Sequence, residues 1–304
     1  MIQKTMIQKT LTLSAWIPLL SLAIIWGGSF LAYALILREV PVFTLVANRV
    51  FWACLTLWFI VAFLRIPIPN LKQCGVLFIM GILNNVIPFS LIAWGQTVIE
   101  SGLASILNGT TAIITFALAS LIFKDERLSY NKGIGLFLAF IGVCIVIGFD
   151  TLANFNLRSL AQLALILACF SYAVAAIWAR SKLKGVNPIM AATGMLTSAS
   201  LIMIPLAILV DGPPNFRLET ITILSMIFLS LPATAIAYLL YYKALNLAGS
   251  ANLSLVTLLV PPMAVIWGAI FLEEKLMPTA YLGFLFITIG MCFIDGRLFN
   301  SKKR

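Results

Sequence analysis

The chain has 304 residues, 62% of them hydrophobic and 10% charged, with a formal net charge of +10 and a mean hydropathy of +1.07. Soluble domains carry roughly 25% charged residues, so this composition excludes a water-soluble fold. The positive balance calls for no nucleic acid, because basic loops that set membrane topology and meet anionic lipid heads account for it.

A helix needs ~20 apolar residues to cross a hydrocarbon core about 30 Å thick. Ten such runs are predicted, at 13–37, 42–64, 74–96, 101–123, 131–149, 160–180, 187–210, 220–246, 249–272 and 278–296. They are apolar all round and lack the period-two alternation of a barrel strand. The predicted fold class is an all-α polytopic membrane protein of ten transmembrane helices.

Residues 1–12, with the tandem MIQKTMIQKT, read as a cytoplasmic lead. Lys4 and Lys9 before the first run suggest a signal peptide. The run is too long for one and carries Trp26-Gly27-Gly28 at its middle, so it reads as a retained span.

The second run holds Arg49, the one basic residue well inside a span rather than at its end. A guanidinium there costs several kcal/mol on insertion scales, so it requires a partner, a carbonyl or a wet cavity. It is either a bidentate clamp for a carboxylate or phosphate, or a strut bonded to helix ends.

In the third run Asn84 and Asn85 precede Pro88, with Trp94 beyond. Pro88 removes a backbone bond and frees carbonyls that can face a cavity. Trp94 is either an interfacial anchor or a cavity residue. In the fourth, Asn108 and Thr111 are three apart and share a helix face. Ser171 and Tyr172 in the sixth run are candidates for the same pocket as Trp26. In the eighth, Tyr238 lies deepest, ahead of Tyr241, Tyr242 and Lys243, which read as an interfacial belt. The ninth carries Pro261 and Pro262.

With the amino terminus inside, fifteen Lys and Arg fall on inner segments and four on outer ones; Arg49 completes the 20. That asymmetry places both termini in the cytoplasm.

Sliding residues 122–144 onto 270–292 aligns Ile122, Phe123, Glu126, Leu128, Gly135, Ile141, Gly142 and Cys144 with identical residues: eight identities in 23 ungapped positions. The chain therefore reads as two copies of a five-span unit, 13–149 and 158–297, followed by a basic tail at 298–304. Five is odd, so the second copy enters the membrane inverted, the architecture of secondary transporters with a site near the midplane. Glu126 and Glu274, at equivalent span ends, read as structural marks paired with basic neighbours, or as gates.

The motifs WGGSF (26–30), NRVFWA (48–53), LLVPPMAVIWGAIFLEEKL (258–276) and the paired IG of spans 5 and 10 resemble the drug/metabolite transporter superfamily, in its EamA-type ten-span branch. The resemblance implies a cavity framed by spans 1, 3, 4, 6, 8 and 9, and export of amino acids, drugs or other metabolites. An arginine at the Arg49 position recurs among members with dissimilar cargo, which favours the strut. The family usually has a proline in both copies of the Glu-ending span; here Pro261 is matched by Ile113, which predicts unequal bending.

No histidine occurs, and neither GxSxG, a Walker loop nor CxxC is present. Neither catalytic residues, metal nor cofactor is expected, and Cys54, Cys74, Cys144, Cys169 and Cys292 read as packing residues. With no carboxylate well inside a span, a facilitator or exchanger is expected, or coupling through Glu100 or Asp295.

The function expected is a secondary transporter in a bacterial inner membrane, moving an amino-acid-like or amphipathic solute, with efflux favoured. The alternatives are a drug, nucleoside or sugar-type carrier of the same superfamily, or a non-transporting membrane assembly protein. Expected partners are the small-molecule substrate and the lipid bilayer, the chain being a monomer or homodimer.

Overall fold

The computed structural model describes residues 13–123, 129–148, 156–183, 185–215, 217–248 and 255–295. Ten helical stretches follow in order: α1 (Leu13–Ile36), α2 (Val42–Phe63), α3 (Leu71–Gly95), α4 (Ser101–Ile122), α5 (Tyr130–Ile147), α6 (Leu157–Lys182), α7 (Pro188–Val210), α8 (residues 220–248), α9 (Leu255–Phe271) and α10 (Pro278–Asp295). The first eight are long and apolar enough to cross a bilayer, and the last two are shorter apolar helices. Large apolar side chains such as Phe59, Phe63, Leu121, Phe137 and Leu209 point outward, exposed. Such a surface is stable against lipid, not water.

Local chemistry sets several helix starts. Asn70 opens α3 with a capping box: its Oδ1 accepts from Gln73 N at 3.0 Å while Gln73 Oε1 accepts from Asn70 N at 2.9 Å. Asn156 and Ser159 repeat the device at α6, and Asn187 caps α7 ahead of Pro188.

Three helices are interrupted. α3 widens into a π-helical turn at Ile82–Val86, and α8 does so at Leu231–Ile236. These turns occupy matching places in the two halves, although their prolines differ in register. Such turns commonly mark functional places in helices.

α4 breaks between Asn108 and Thr111. Thr110 Oγ1 donates to Leu107 O and Thr111 Oγ1 to Asn108 O, both at 2.7 Å, so the hydroxyls compete with the helical ladder there. α9 runs unbroken through Pro261 and Pro262. Of these two matched spans, the one without the proline is the one that breaks.

The helices pack in a pattern that survives exchanging the halves. α5 packs on α10 and α2 on α7; α1 lies against α8 and α9, as α6 lies against α3 and α4. A Cβ on Gly135 would sit 2.6 Å from Gly290 O, and one on Gly142 would sit 2.7 Å from Gly283 O. The contacts are reciprocal at 2.5 and 2.6 Å. Gly135 therefore meets the residue matched to Gly142, and the two related helices cross antiparallel at backbone contact, the close approach that small residues permit in membranes. Likewise Thr44 meets Asp211 while Cys54 and Trp58 meet Thr197, so α2 and α7 are antiparallel.

Candidate substrate cavity

A cavity of about 420 Å³ lies between the halves, lined from α1–α4 and from α6–α9. On α1, Trp26, Ser29, Phe30 and Tyr33 all line it. Their spacing of three, four and seven places them on one helical face. On α8, Thr234, Tyr238, Tyr241 and Tyr242 do the same.

Arg49 enters the wall from α2 and is 7% exposed. Its Nε donates to Thr234 Oγ1 at 2.9 Å, and its Nη1 donates to Tyr33 Oη at 2.8 Å. The guanidinium stacks on Phe89 with Cζ 3.8 Å from the ring centroid. Thr234 Oγ1 in turn donates to Leu229 O at 2.8 Å, five residues back across the π turn. Arg49 thus ties α2 to α1, α3 and α8. Among the described residues no carboxylate lies within ion-pair distance of it, and no hydrogen bond engages its Nη2.

Asn84 and Asn85 converge on one hydroxyl. Their Nδ2 groups lie 3.2 and 3.4 Å from Tyr238 Oη. An oxygen that accepts twice keeps its own proton for a third partner, and Tyr238 faces the cavity. Asn85 is fully buried behind this contact, its Oδ1 without a partner. Asn108 lines the cavity with its Oδ1 also unpartnered, beside Thr111. Trp26 stands 6.1 Å from Tyr241, and Tyr241 stands 5.5 Å edge-on from Tyr242.

Of the residues singled out from the sequence, Trp26, Arg49, Asn84, Asn108, Thr111, Tyr172 and Tyr238 line the cavity. Asn85, Trp94, Ser171 and Pro261 are not among the lining residues. Trp94 packs against the core beside Thr97, which bonds its carbonyl. Ser171 Oγ donates to Leu83 O at 2.7 Å, so it serves α3 rather than the cavity. Pro261 packs near Gly109, and its neighbour Val260 provides the lining. Pro88 follows the π turn of α3, and the carbonyl it leaves free is the one Ser171 takes.

Tyr33, Phe89, Thr234, Tyr241 and Tyr242 also shape the cavity. For Tyr33 the heptad spacing from Trp26 was the available signal; Tyr241 and Tyr242, read from the sequence as an interfacial belt, line the cavity.

One end of the bundle is closed by contacts between the halves. Thr44 N and Oγ1 donate to Asp211 Oδ2 at 2.6 and 2.9 Å, and Glu219 N donates to Glu39 Oε2 at 3.1 Å. Arg158 pairs with Glu100 at 2.7 Å. Glu274 receives Ser101 N at 2.8 Å, Ser101 Oγ at 2.9 Å and Gly102 N at 3.0 Å. Glu274 therefore caps the start of α4, where the helix dipole favours an anion, and among the described residues no basic side chain pairs with it. Glu126 lies outside the described residues.

A second cavity of about 710 Å³ lies at this same end, lined by Glu39, Asp211 and Trp52 among others. Each of its carboxylates holds a contact already described. The central cavity combines a buried cation, the unpartnered amide oxygen of Asn108 and walls from both halves, and extends away from the closed end to Leu183 and Tyr242.

The profile of the EamA-like transporter family matches residues 13–148 and again 159–295. An uncharacterized transporter of Bacillus subtilis (strain 168), YoaV, is 20% identical over 286 residues, covering 94% of this chain and 97% of the relative. A "Probable amino-acid metabolite efflux pump" of Escherichia coli (strain K12) is 25% identical, covering 90% of this chain and 91% of the relative. A solved crystal structure superposes with a TM-score of 0.65 at 14% identity, covering 92% of this chain and 97% of the other.

Proposed function

The chain belongs to the EamA-like transporter family, and from that premise we propose that it carries a small amino-acid-like or amphipathic solute, in the direction of efflux, by alternating access between two inverted halves. The observation that carries this reading is the central cavity, walled by helices of both halves, with Arg49 at its closed end. A membrane interior retains a buried cation where it has work to do. Arg49 is braced by Tyr33 and Thr234 along one edge, and its Nη2 edge is left for a solute. In this reading strut and clamp are two edges of one side chain.

The cycle starts from the closed end. Opening it toward the outside requires breaking the contacts of Asp211, Glu39, Glu100 and Glu274, while the opposite end closes around Tyr242 and Leu183. The similarity to amino-acid metabolite efflux pumps supports the cargo class. The excess of basic residues on one set of loops supports a cytoplasmic location for both termini, in a bacterial inner membrane.

The test is counterflow of labelled amino acids, aromatic and aliphatic, into vesicles carrying the purified protein. Accumulation that is lost in Arg49→Ala, with folding retained, is the expected result. An absence of counterflow for every amino acid, from protein that still unfolds cooperatively, redirects the search to drugs, nucleosides and sugars.

A further inference from the structure

We infer that the cavity recognises the carboxylate and the apolar body of its solute rather than an ammonium group, so that it selects organic monoanions over zwitterions and disfavours organic cations. This rests on the reading of the cavity as the solute site, and it narrows the chemistry that site accepts.

The first observation is charge. Among the described lining residues Arg49 is the one charged side chain, and no Asp or Glu faces the cavity. A carboxylate placed on Nη2 is paired with a cation in surroundings of low polarity, where a charge-assisted bond is strong. An ammonium brought to the same place meets like charge with no counter-ion.

The second observation is the state of the acceptors around Arg49. An α-amino acid carries both charged groups on one carbon, so clamping the carboxylate brings the ammonium to the same wall. The acceptors that bond Arg49 are spent on it, and Asn108 Oδ1, the unpartnered acceptor in the lining, carries no charge to balance an ammonium. Tyr33 Oη receives Nη1, and Thr234 Oγ1 receives Nε while donating to Leu229 O. The Phe89 ring face is covered by the guanidinium at 3.8 Å, so it offers no cation–π seat.

The third observation is what does face the remaining volume. Tyr238 has a proton to give once it has accepted from Asn84 and Asn85, and a donor suits a second carboxylate or hydroxyl oxygen. Trp26, Tyr241 and Tyr242 then offer an aromatic chamber for the body of the solute.

Calorimetric titration of the purified full-length chain with three molecules of one shape tests this. L-phenylalanine carries both groups, 3-phenyllactate has a hydroxyl in place of the ammonium, and 2-phenylethylamine lacks the carboxylate. The expected result is that phenyllactate binds at least as tightly as phenylalanine, and phenylethylamine at least tenfold more weakly than phenyllactate. In Arg49→Gln the gap between phenyllactate and phenylethylamine should narrow; the wild-type series stands alone if that variant does not fold. Phenylalanine binding tenfold tighter than phenyllactate overturns the inference and leaves the amino-acid reading standing. Equal binding of phenylethylamine and phenyllactate overturns it by removing Arg49 as the anchor. If none of the three binds to cooperatively folded protein, the amino-acid-like reading fails and this inference falls with it.

Discussion

Ser171 Oγ donates a 2.7 Å hydrogen bond to Leu83 O, across from α6 to the π turn of α3. Ile87 N–H bonds to Ile82 O, five residues back, so the next donor due at Leu83 O is residue 88, a proline with no N–H. A serine on another helix supplies the missing proton. In hydrocarbon, where water cannot substitute, such a repair is needed.

Ser171→Ala should therefore destabilise the fold by about 1–2 kcal/mol, the cost of an orphaned buried acceptor. In a Pro88→Ala background, which restores an N–H to the turn, the same substitution should cost markedly less. Thermal unfolding of the four proteins in detergent, read as a double-mutant cycle, decides the matter. Additive effects would break the link between the two residues.

At the α5–α10 crossing, Gly290→Ala places a methyl 2.5 Å from Gly135 O, and neither backbone can yield easily. A loss of roughly 1–3 kcal/mol is expected, as for other overpacked sites. Gly133→Ala, with nothing within 4 Å, should be neutral or slightly stabilising through helix propensity. Comparable melting temperatures for the two variants would contradict the packing described.

Thr234→Val keeps the shape of the side chain but removes the acceptor for Arg49 Nε and the donor to Leu229 O. About 1–3 kcal/mol of stability should be lost with these two bonds, and counterflow should fall several-fold as the guanidinium loses its brace. Thr115→Ser, elsewhere in the lining, serves as the control and should retain near-native counterflow.

Glu274→Gln retains one carbonyl acceptor for the start of α4 but loses the charge and the second acceptor. Weakening of this cap by roughly 0.5–1.5 kcal/mol should loosen the closed end. In a background with the native cysteines replaced, Ser29→Cys should then react faster with an impermeant thiol reagent added from outside. An unchanged labelling rate would show that Glu274 does not hold that end shut.

Hydropathy and charge in the sequence by themselves determined that this is an all-helical membrane protein with ten apolar stretches. They also singled out Arg49 as the anomalous cation and marked the glycines of spans 5 and 10 as related. These are properties of a segment against a bilayer: the penalty on a charge, and the length needed to cross, depend on no partner. Only the tertiary structure decided which groups meet. Asn84 and Asn85 share Tyr238 across 154 and 153 residues, Glu274 sits on the start of α4, and Trp94 and Ser171 lie outside the cavity wall. The π turns rotate the helical segments beyond them, and the glycine crossing of α5 and α10 fixes how closely the halves approach. Rotation and register between helices are set by packing among residues far apart in the chain, which the composition of any single span does not encode.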